Sequence, residues 1–293
     1  MSASIDEPVT ARAGRRSREA PSETPSGTQS IHRAARILRE IASYSLNGLR
    51  LVDLARQLDL NRTTIHRILT CLIEEGLVMQ NPTSLRYVLG HGLFELGLTA
   101  ASQFKLREIC EPSLKRIAAG TGHTAFMTIR SNYDALSIAR VDGTQPLEIP
   151  SLDIGVHRPL GVGAGSLAIL SALADDEIER IVSANARRLA SFGKLTVPLL
   201  LDIARQSREA GYGIHDGRMI ANVSGVGILV HDGSGAPLGA ISVSAKADRL
   251  SLEVQGEIVL ILKKEARVIQ NLLHQANFDV AEYRRQYLPK KFL

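Results

Sequence analysis

Apolar residues in the first third of the chain recur with helical spacing in three successive stretches. Ile31, Ala34, Ala35, Leu38, Ile41 and Ala42 line one face of a helix starting at residue 30, closed by the turn signal Asn47-Gly48. Residues 51–76, LVDLARQLDLNRTTIHRILTCLIEEG, read as two short helices joined by a tight turn. Asn61 suits the N-cap of the second, because its side chain can accept from an orphaned backbone N–H one turn on. Beyond it Ile65, Ile68, Leu69 and Leu72 form a buried stripe, with Cys71 assigned to the inner half as a core-filling thiol. Thr63, His66, Arg67 and Thr70 obey the same spacing and share the opposite face, which carries donors and positive charge without a carboxylate. That face suits a DNA groove.

Residues 77–80 and 86–89 are short β-prone runs around Asn-Pro-Thr-Ser-Leu, the pattern of a hairpin. A helix-turn-helix followed at once by a hairpin is a winged helix, with Thr83, Ser84 and Arg86 as the wing's expected phosphate contacts. Residues 91–104 form a helical linker with Leu93, Leu96 and Leu98 apolar, and residues 106–119 a helix expected to break into two pieces near Pro112. After Gly120 the pattern alternates. Strands are expected at 125–130, 136–141, 226–231 and 238–245, the last pair joined by Asp232-Gly233-Ser234-Gly235, with helices at 164–174, 175–189, 197–210 and 254–276. The fold class is therefore α+β in two domains. The divisions are a disordered tail at 1–29, a winged helix-turn-helix DNA-binding domain at 30–90, the linker at 91–104, an antiparallel-sheet domain at 105–278 and a C-terminal tail at 279–293.

Composition narrows the function classes. The tail at 1–29 has hardly a large apolar side chain, and its four Arg, including the cluster Arg15, Arg16 and Arg18, are matched by four acids, so a solvated segment is expected. Residues 30–90 hold eight Arg and Lys against five Asp and Glu, so this fifth of the chain carries three of the five surplus positive charges. Aromatics are 4% and Trp is absent, which disfavours base-stacking platforms for single strands. Two cysteines, Cys71 and Cys110, with no CxxC pairing, exclude a multi-cysteine metal site; no metal and no cofactor are expected. No apolar run reaches the ~18 residues of a spanning helix and no secretory signal opens the chain, so the expected location is cytoplasmic, with no membrane partner.

On the second helix of the pair, Arg67 can offer guanine a bidentate fork worth about 1–3 kcal/mol of discrimination; a phosphate contact or a plain surface arginine are the alternatives. Arg62 and Thr63 or Thr64, at the helix start, suit phosphates, and His66 is a weaker base reader. In the second domain Gly163, Ala164 and Gly165 permit close backbone approach at a helix start, where free N–H groups favour an anion. Ser242 and Ser244 alternate with Ile241 and Val243, so both hydroxyls share one side of a strand. From the residues alone two readings stay open, a polar-ligand site or a tight turn packed on a sheet with serines bonded across the ladder.

The runs IHRAARIL, LVDLARQLDLNRTTIHRIL, LIEEGLV and RYVLG, followed by RPLGVGAGSLAIL, EAGYGIHDG and VHDGSGAPLGAISVSA, resemble in order and spacing the IclR-type transcriptional regulators over roughly residues 30–275. The resemblance implies a winged helix-turn-helix followed by a GAF-like domain that binds a small metabolite. It also implies a homodimer made largely through the DNA-binding domains, in some members paired into a homotetramer. The family's ligand contacts fall on Gly163, Ala164, His215, Gly225, Ser242 and Ser244. There are departures. Val52 stands where the family usually caps the second helix with Ser or Thr, a loss of about 1 kcal/mol that Asp53 in the first turn offsets in part. The glycine loop is shorter and lacks the family's Lys, and His215 and Gly225 replace an Asp and a Cys of well-known members, which makes the site less negative and roomier. The expected effector is a small organic acid, with room for one larger than two or three carbons, and the expected partners are that acid and a double-stranded pseudopalindromic operator.

Two other classes fit the chain less well. An enzyme would need a catalytic constellation, but Gly161-x-Gly163-x-Gly165 fails the dinucleotide spacing, there is no phosphate-binding GxxxxGK[ST], and Ser166 lies in no GxSxG elbow, so no catalytic residue is assigned. A purely oligomerising interaction protein would respond to no metabolite.

Overall fold

The computed structural model describes residues 28–44, 48–101, 105–148, 153–232 and 234–276. The basic cluster at 15–18 and the turn residue Asn47 lie outside the described residues.

Three helices, α1 (Gln29–Ala42), α2 (Leu51–Leu58) and α3 (Arg62–Glu74), pack with a two-stranded ribbon, β1 (Val78–Gln80) and β2 (Tyr87–Leu89). Their shared core holds Ile37, Ile41, Leu54, Leu58, Ile65, Leu69 and Leu72, the apolar stripe of each helix. Asn61 caps α3 as its sequence predicts, accepting from the Thr64 N–H at 2.7 Å. Asp59 supplies the left-handed residue that turns the chain between α2 and α3, at φ 53°. Leu49 extends the ribbon by exchanging backbone hydrogen bonds with Tyr87 at 3.1 and 2.8 Å. The cap of α2 falls at Arg50, without a side-chain bond, so Val52 lies inside the first turn and is not the cap; Asp53 there pairs with Arg56 at 2.9 Å. Cys71 is exposed, contrary to its expected core position. It follows Arg67 by one turn and therefore shares that outward face.

From α4 (His91–Ala101) the chain enters a six-stranded antiparallel sheet of order β5-β4-β3-β8-β7-β6. The strands are β3 (Thr124–Ser131), β4 (Asp134–Val141), β5 (His157–Pro159), β6 (Gly213–Asp216), β7 (Val223–His231) and β8 (Pro237–Lys246). One face carries Ala125, Met127, Val226, Val230, Ile241 and Val243 and is covered by α5 (Leu106–Thr121) and α10 (Leu252–Gln275). The other face is covered by α6 (Ala164–Ser171), backed by α7 (Asp175–Ala184), α8 (Ala186–Leu189) and α9 (Val197–Ala210). The period of two in β7 and β8 separates these layers: their apolar β-branched residues face α10, while glycines and serines face α6.

Three helix expectations need correction. α5 is continuous through Pro112, because the proline sits on its exposed side while Leu106, Cys110, Leu114 and Ile117 are buried on either side of it. The helix expected at 175–189 divides at Asn185, a buried residue whose amide donates to the Tyr133 carbonyl at 2.7 Å. α6 stops at Ser171, where the Arg208 guanidinium donates to the Ser171 and Leu173 carbonyls at 2.8 and 2.6 Å. Of the expected loop at 232–235, Gly233 lies outside the described residues; the buried Asp232 carboxylate accepts from the N–H groups of Ser234 and Ala236 at 2.9 and 2.8 Å.

The seating of α6 depends on the absence of side chains. A Cβ on Gly227 would lie 2.6 Å from the Ala164 carbonyl oxygen, and one on Gly213 would lie 2.2 Å from it. Gly227→Ala should therefore lower the denaturant midpoint by about 1–3 kcal/mol of stability. Gly256→Ala, in open space on the exposed side of α10, should raise it by about 0.4–1 kcal/mol. Urea titrations of the two variants check the pair, and equal effects would contradict this packing.

Candidate DNA interface and ligand cavity

On α3, Arg62, Thr63, His66, Arg67 and Thr70 are all exposed and Thr64 is half-buried, so the structure brings the expected polar residues onto one face. The Thr70 hydroxyl donates back to the His66 carbonyl at 3.0 Å, leaving Arg62, His66 and Arg67 as the side chains that extend furthest. At the ribbon tip, Asn81 accepts from the N–H groups of Thr83 and Ser84 at 3.0 and 2.9 Å, which fixes the turn with the Thr83 side chain exposed and Ser84 half-buried. Arg86 is half-buried and its Nη1 donates to the Gly48 carbonyl at 2.9 Å, which ties the ribbon to the segment ahead of α2.

The second site grows from two rows of residues crossing the sheet beneath α6. Strand register aligns Phe126, Ser242, Gly227 and Gly213 in one row, and Thr124, Ser244, Gly225 and His215 in the next. Ala164 rests on the glycines, which brings the N-terminal end of α6 down onto the serines. Gly165 approaches so closely that a Cβ there would lie 3.0 Å from the Ser242 Oγ and 3.3 Å from the Thr128 Oγ1. The preceding loop turns through Gly161 and Gly163 at φ 102° and 94°, a region that glycine enters without strain. The Gly161 N–H donates to the Ser166 Oγ at 2.7 Å and locks that loop to the helix.

A narrow cavity of about 10 Å³, room for about one water, lies between these rows and the helix end. Its polar wall is Thr128, Arg158, Ser166, His215, Ser242 and Ser244, and Phe126, Ile220 and Val223 give the apolar side. Gly163, Ala164, Gly165, His215, Ser242 and Ser244 thus meet at one place. Gly225 is not part of the cavity wall; a Cβ there would strike the Val243 carbonyl at 2.7 Å and the Ser244 Oγ at 3.0 Å, so its bareness lets β7 lie against β8 beside the Ser244 hydroxyl.

Sequence reasoning missed Arg158, Thr128, Ser166 and the apolar wall. Arg158 comes from β5, and its guanidinium lies over Gly163, where a Cβ would be 3.5 Å from Nη1. It is 6% exposed, and its Nε and Nη1 have no hydrogen-bond partner. Desolvation pushes its pKa down to about 10, still charged at neutral pH. The available signal was a polar pair, His157-Arg158, set against the long run of apolar and small residues through Leu170.

His215 has a defined role. Its Nδ1 accepts from the Gly217 N–H at 3.1 Å, so in the neutral ring the proton sits on Nε2. That Nε2 is buried and unpartnered, and burial pushes the pKa to about 4. The ring is neutral at pH 7 and presents a donor. Among the described residues no cluster of His, Cys, Asp and Glu could hold a metal, and no helix is long and apolar enough to cross a membrane.

Comparison with known proteins agrees with this architecture. The C-terminal domain model of bacterial IclR transcriptional regulators matches residues 98–271, and the IclR helix-turn-helix model matches residues 30–82. The chain is 26% identical to the acetate operon repressor of Salmonella typhimurium strain LT2 over 265 residues, covering 89% of this chain and 96% of that protein. Among solved structures, an IclR family transcriptional regulator from Brucella abortus superposes with a TM-score of 0.67 at 21% identity, covering 83% of this chain and 91% of that one. An IclR homolog from Microbacterium hydrocarbonoxydans complexed with 4-hydroxybenzoate superposes with a TM-score of 0.61 at 18% identity, covering 84% and 100%. The two-domain fold with its helix-turn-helix is that of a DNA-binding transcription regulator. The chain belongs to the IclR family of bacterial transcriptional regulators.

The His215 environment predicts a pH dependence. Its folded pKa of about 4 lies below the unfolded value near 6.5, so the unfolded chain takes up a proton first as pH falls. Stability is full above pH 6.5 and declines towards pH 4, by at most ~3 kcal/mol from this residue. Urea unfolding of His215→Gln across that range should show a flatter profile than wild type. Parallel profiles would contradict the buried neutral ring.

Proposed function

We propose that the chain is a sequence-specific, dimeric regulator whose affinity for a pseudopalindromic operator is set by a small organic acid bound beneath α6. The observation that carries this reading is a cavity lined by donors and free of carboxylates, in a chain that also bears a DNA-binding helix-turn-helix. First-turn N–H groups of α6, the neutral His215, the hydroxyls and Arg158 all favour an anion. The 4-hydroxybenzoate bound by the Microbacterium homolog supports a carboxylate of that general kind. No reaction is assigned: the acid is sensed and released unchanged, in the cytoplasm where the operator lies.

On DNA, Arg67 reads a base edge, His66 assists, and Arg62, Thr63, Thr64 and Thr70 position the helix through phosphates with Thr83 and Ser84 of the wing. Half-sites lie about one helical turn apart, matching two α3 helices related by a twofold axis. α4 supports the dimer. It buries no residue within its own chain; Phe94 and Leu98, one turn apart, share one side and Leu96 lies on the other, each about 60% exposed, so a second copy is the natural cover for this apolar helix; pairing into a tetramer would use the sheet domains. β3 links the two sites: Phe126 and Thr128 line the cavity, while Ala125 and Met127 pack with α5, the helix that follows the linker. A shift of β3 on ligand binding reaches α5 and then the winged helix.

Arg67→Ala should weaken binding to duplexes selected from a random library by about 5- to 150-fold, the range of 1–3 kcal/mol. It should leave any ligand-induced thermal shift intact. Unchanged affinity for the selected site would remove Arg67 from base recognition.

A further inference from the structure

The cavity has one feature that its helix end and serines do not explain. Among its lining residues Arg158 is the sole charged group, it is 94% buried, and two of its three guanidinium nitrogens have no partner. No carboxylate offsets it: the nearby Asp216 carboxylate pairs with Arg218, at 2.8 Å, outside the cavity wall. Arg130, Arg188 and Arg208 on the same side of the domain have acid partners, Glu177, Asp134 and Asp175, whereas Arg158 has none among the described residues. A buried charge without a partner destabilises the fold, and such groups persist where a bound group completes them.

The geometry beside it sets the shape of that group. The guanidinium lies over Gly163, at the N-terminal end of α6, and its fork faces the same small volume as the His215 Nε2–H. A guanidinium fork matches the two oxygens of a carboxylate. Phe126, Ile220 and Val223 close the other side without a second cation.

We propose that Arg158 is the anchor of the effector site, holding a single carboxylate with His215 as a second donor in a pocket that widens to admit the acid, and that it selects monocarboxylates over dicarboxylates and neutral amides. This rests on the organic-acid reading above and adds to it the residue, the charge and the shape. One buried cation balances one carboxylate; a second would bring its own uncompensated charge into the same apolar wall.

Thermal unfolding of the full chain at constant ionic strength tests this, with acetate, pyruvate, benzoate and 4-hydroxybenzoate as monocarboxylates, malonate, succinate and phthalate as dicarboxylates, and benzamide as the neutral probe. At least one monocarboxylate should raise the wild-type midpoint saturably, and the dicarboxylates and benzamide should not. R158M should lose that shift, a weakening of roughly 100-fold or more, the scale expected when a charged hydrogen-bonding partner is removed. Without ligand R158M should unfold at or above the wild-type temperature, because it removes a buried unpaired charge. R158K, which keeps the charge but not the fork, should bind about tenfold more weakly.

An acid that shifts wild type and R158M alike leaves the organic-acid reading standing and overturns only the anchor. So does a dicarboxylate that binds better than its monocarboxylate counterpart, or ligand-free R158M that unfolds well below wild type, the mark of a purely structural arginine. If no acid shifts the wild-type protein, the organic-acid reading and the anchor fall together.

Discussion

The second domain depends on how closely the N-terminal end of α6 approaches the sheet. Ala164 sits against the backbone of Gly213 and Gly227 at distances that leave no room for a Cβ. That contact is dispersion between backbones, small for each atom pair and sensitive to tenths of an ångström. It brings unpaired N–H groups, two serine hydroxyls and the His215 ring to within one small volume. Displace the helix by one methyl group and the cavity loses its polar wall. The glycines therefore matter less for flexibility than for the missing atoms.

Into this close-packed place the chain puts a cation. Arg158 is carried on β5, a three-residue edge strand, and reaches over Gly163 with most of its nitrogens unbonded. Elsewhere the domain pairs its buried charges: Glu265 accepts a bidentate fork from Arg116 at 3.0 and 2.7 Å, with Ser113 completing that arginine at 2.8 Å. The contrast separates a charge that the fold itself pairs from one that it leaves open, on which the proposed carboxylate anchor rests. His215 follows the same logic in neutral form, its tautomer set by the Gly217 N–H so that the remaining proton points into the cavity.

Much of this was legible in the sequence, for identifiable reasons. The α3 stripe and its Asn61 cap follow from helical period and local capping chemistry, and α9 occupies residues 197–210 as its pattern predicts, between the Thr196 cap and Gly211. Ser242 and Ser244 were placed on one face because a strand's period is two. What escaped were elements too short for a period to register, β5 and β6, and roles set by distant partners. Arg86 reads as a wing contact, and its bond to the Gly48 carbonyl, 38 positions away, shows only in the fold. Pro112 reads as a break until the burial on both sides of it is known. Arg158 lay in plain view ahead of the glycine loop, but only burial distinguishes it from a surface arginine. Separation along the chain, rather than weak propensity, hid each of them.

The two ends of the molecule become a switch only if occupancy of the cavity changes the affinity of α3 for DNA. Such coupling is reciprocal: an acid that loosens the operator must itself be loosened by the operator, by the same factor. The direct measurement is the anisotropy of a labelled selected duplex titrated with full-length protein, with and without a saturating monocarboxylate. It is paired with the acid's own affinity in the presence and absence of DNA. The expected result is a change of about 5- to 150-fold in each, equal in the two directions. An acid that occupies the cavity and leaves DNA affinity unchanged would contradict the account.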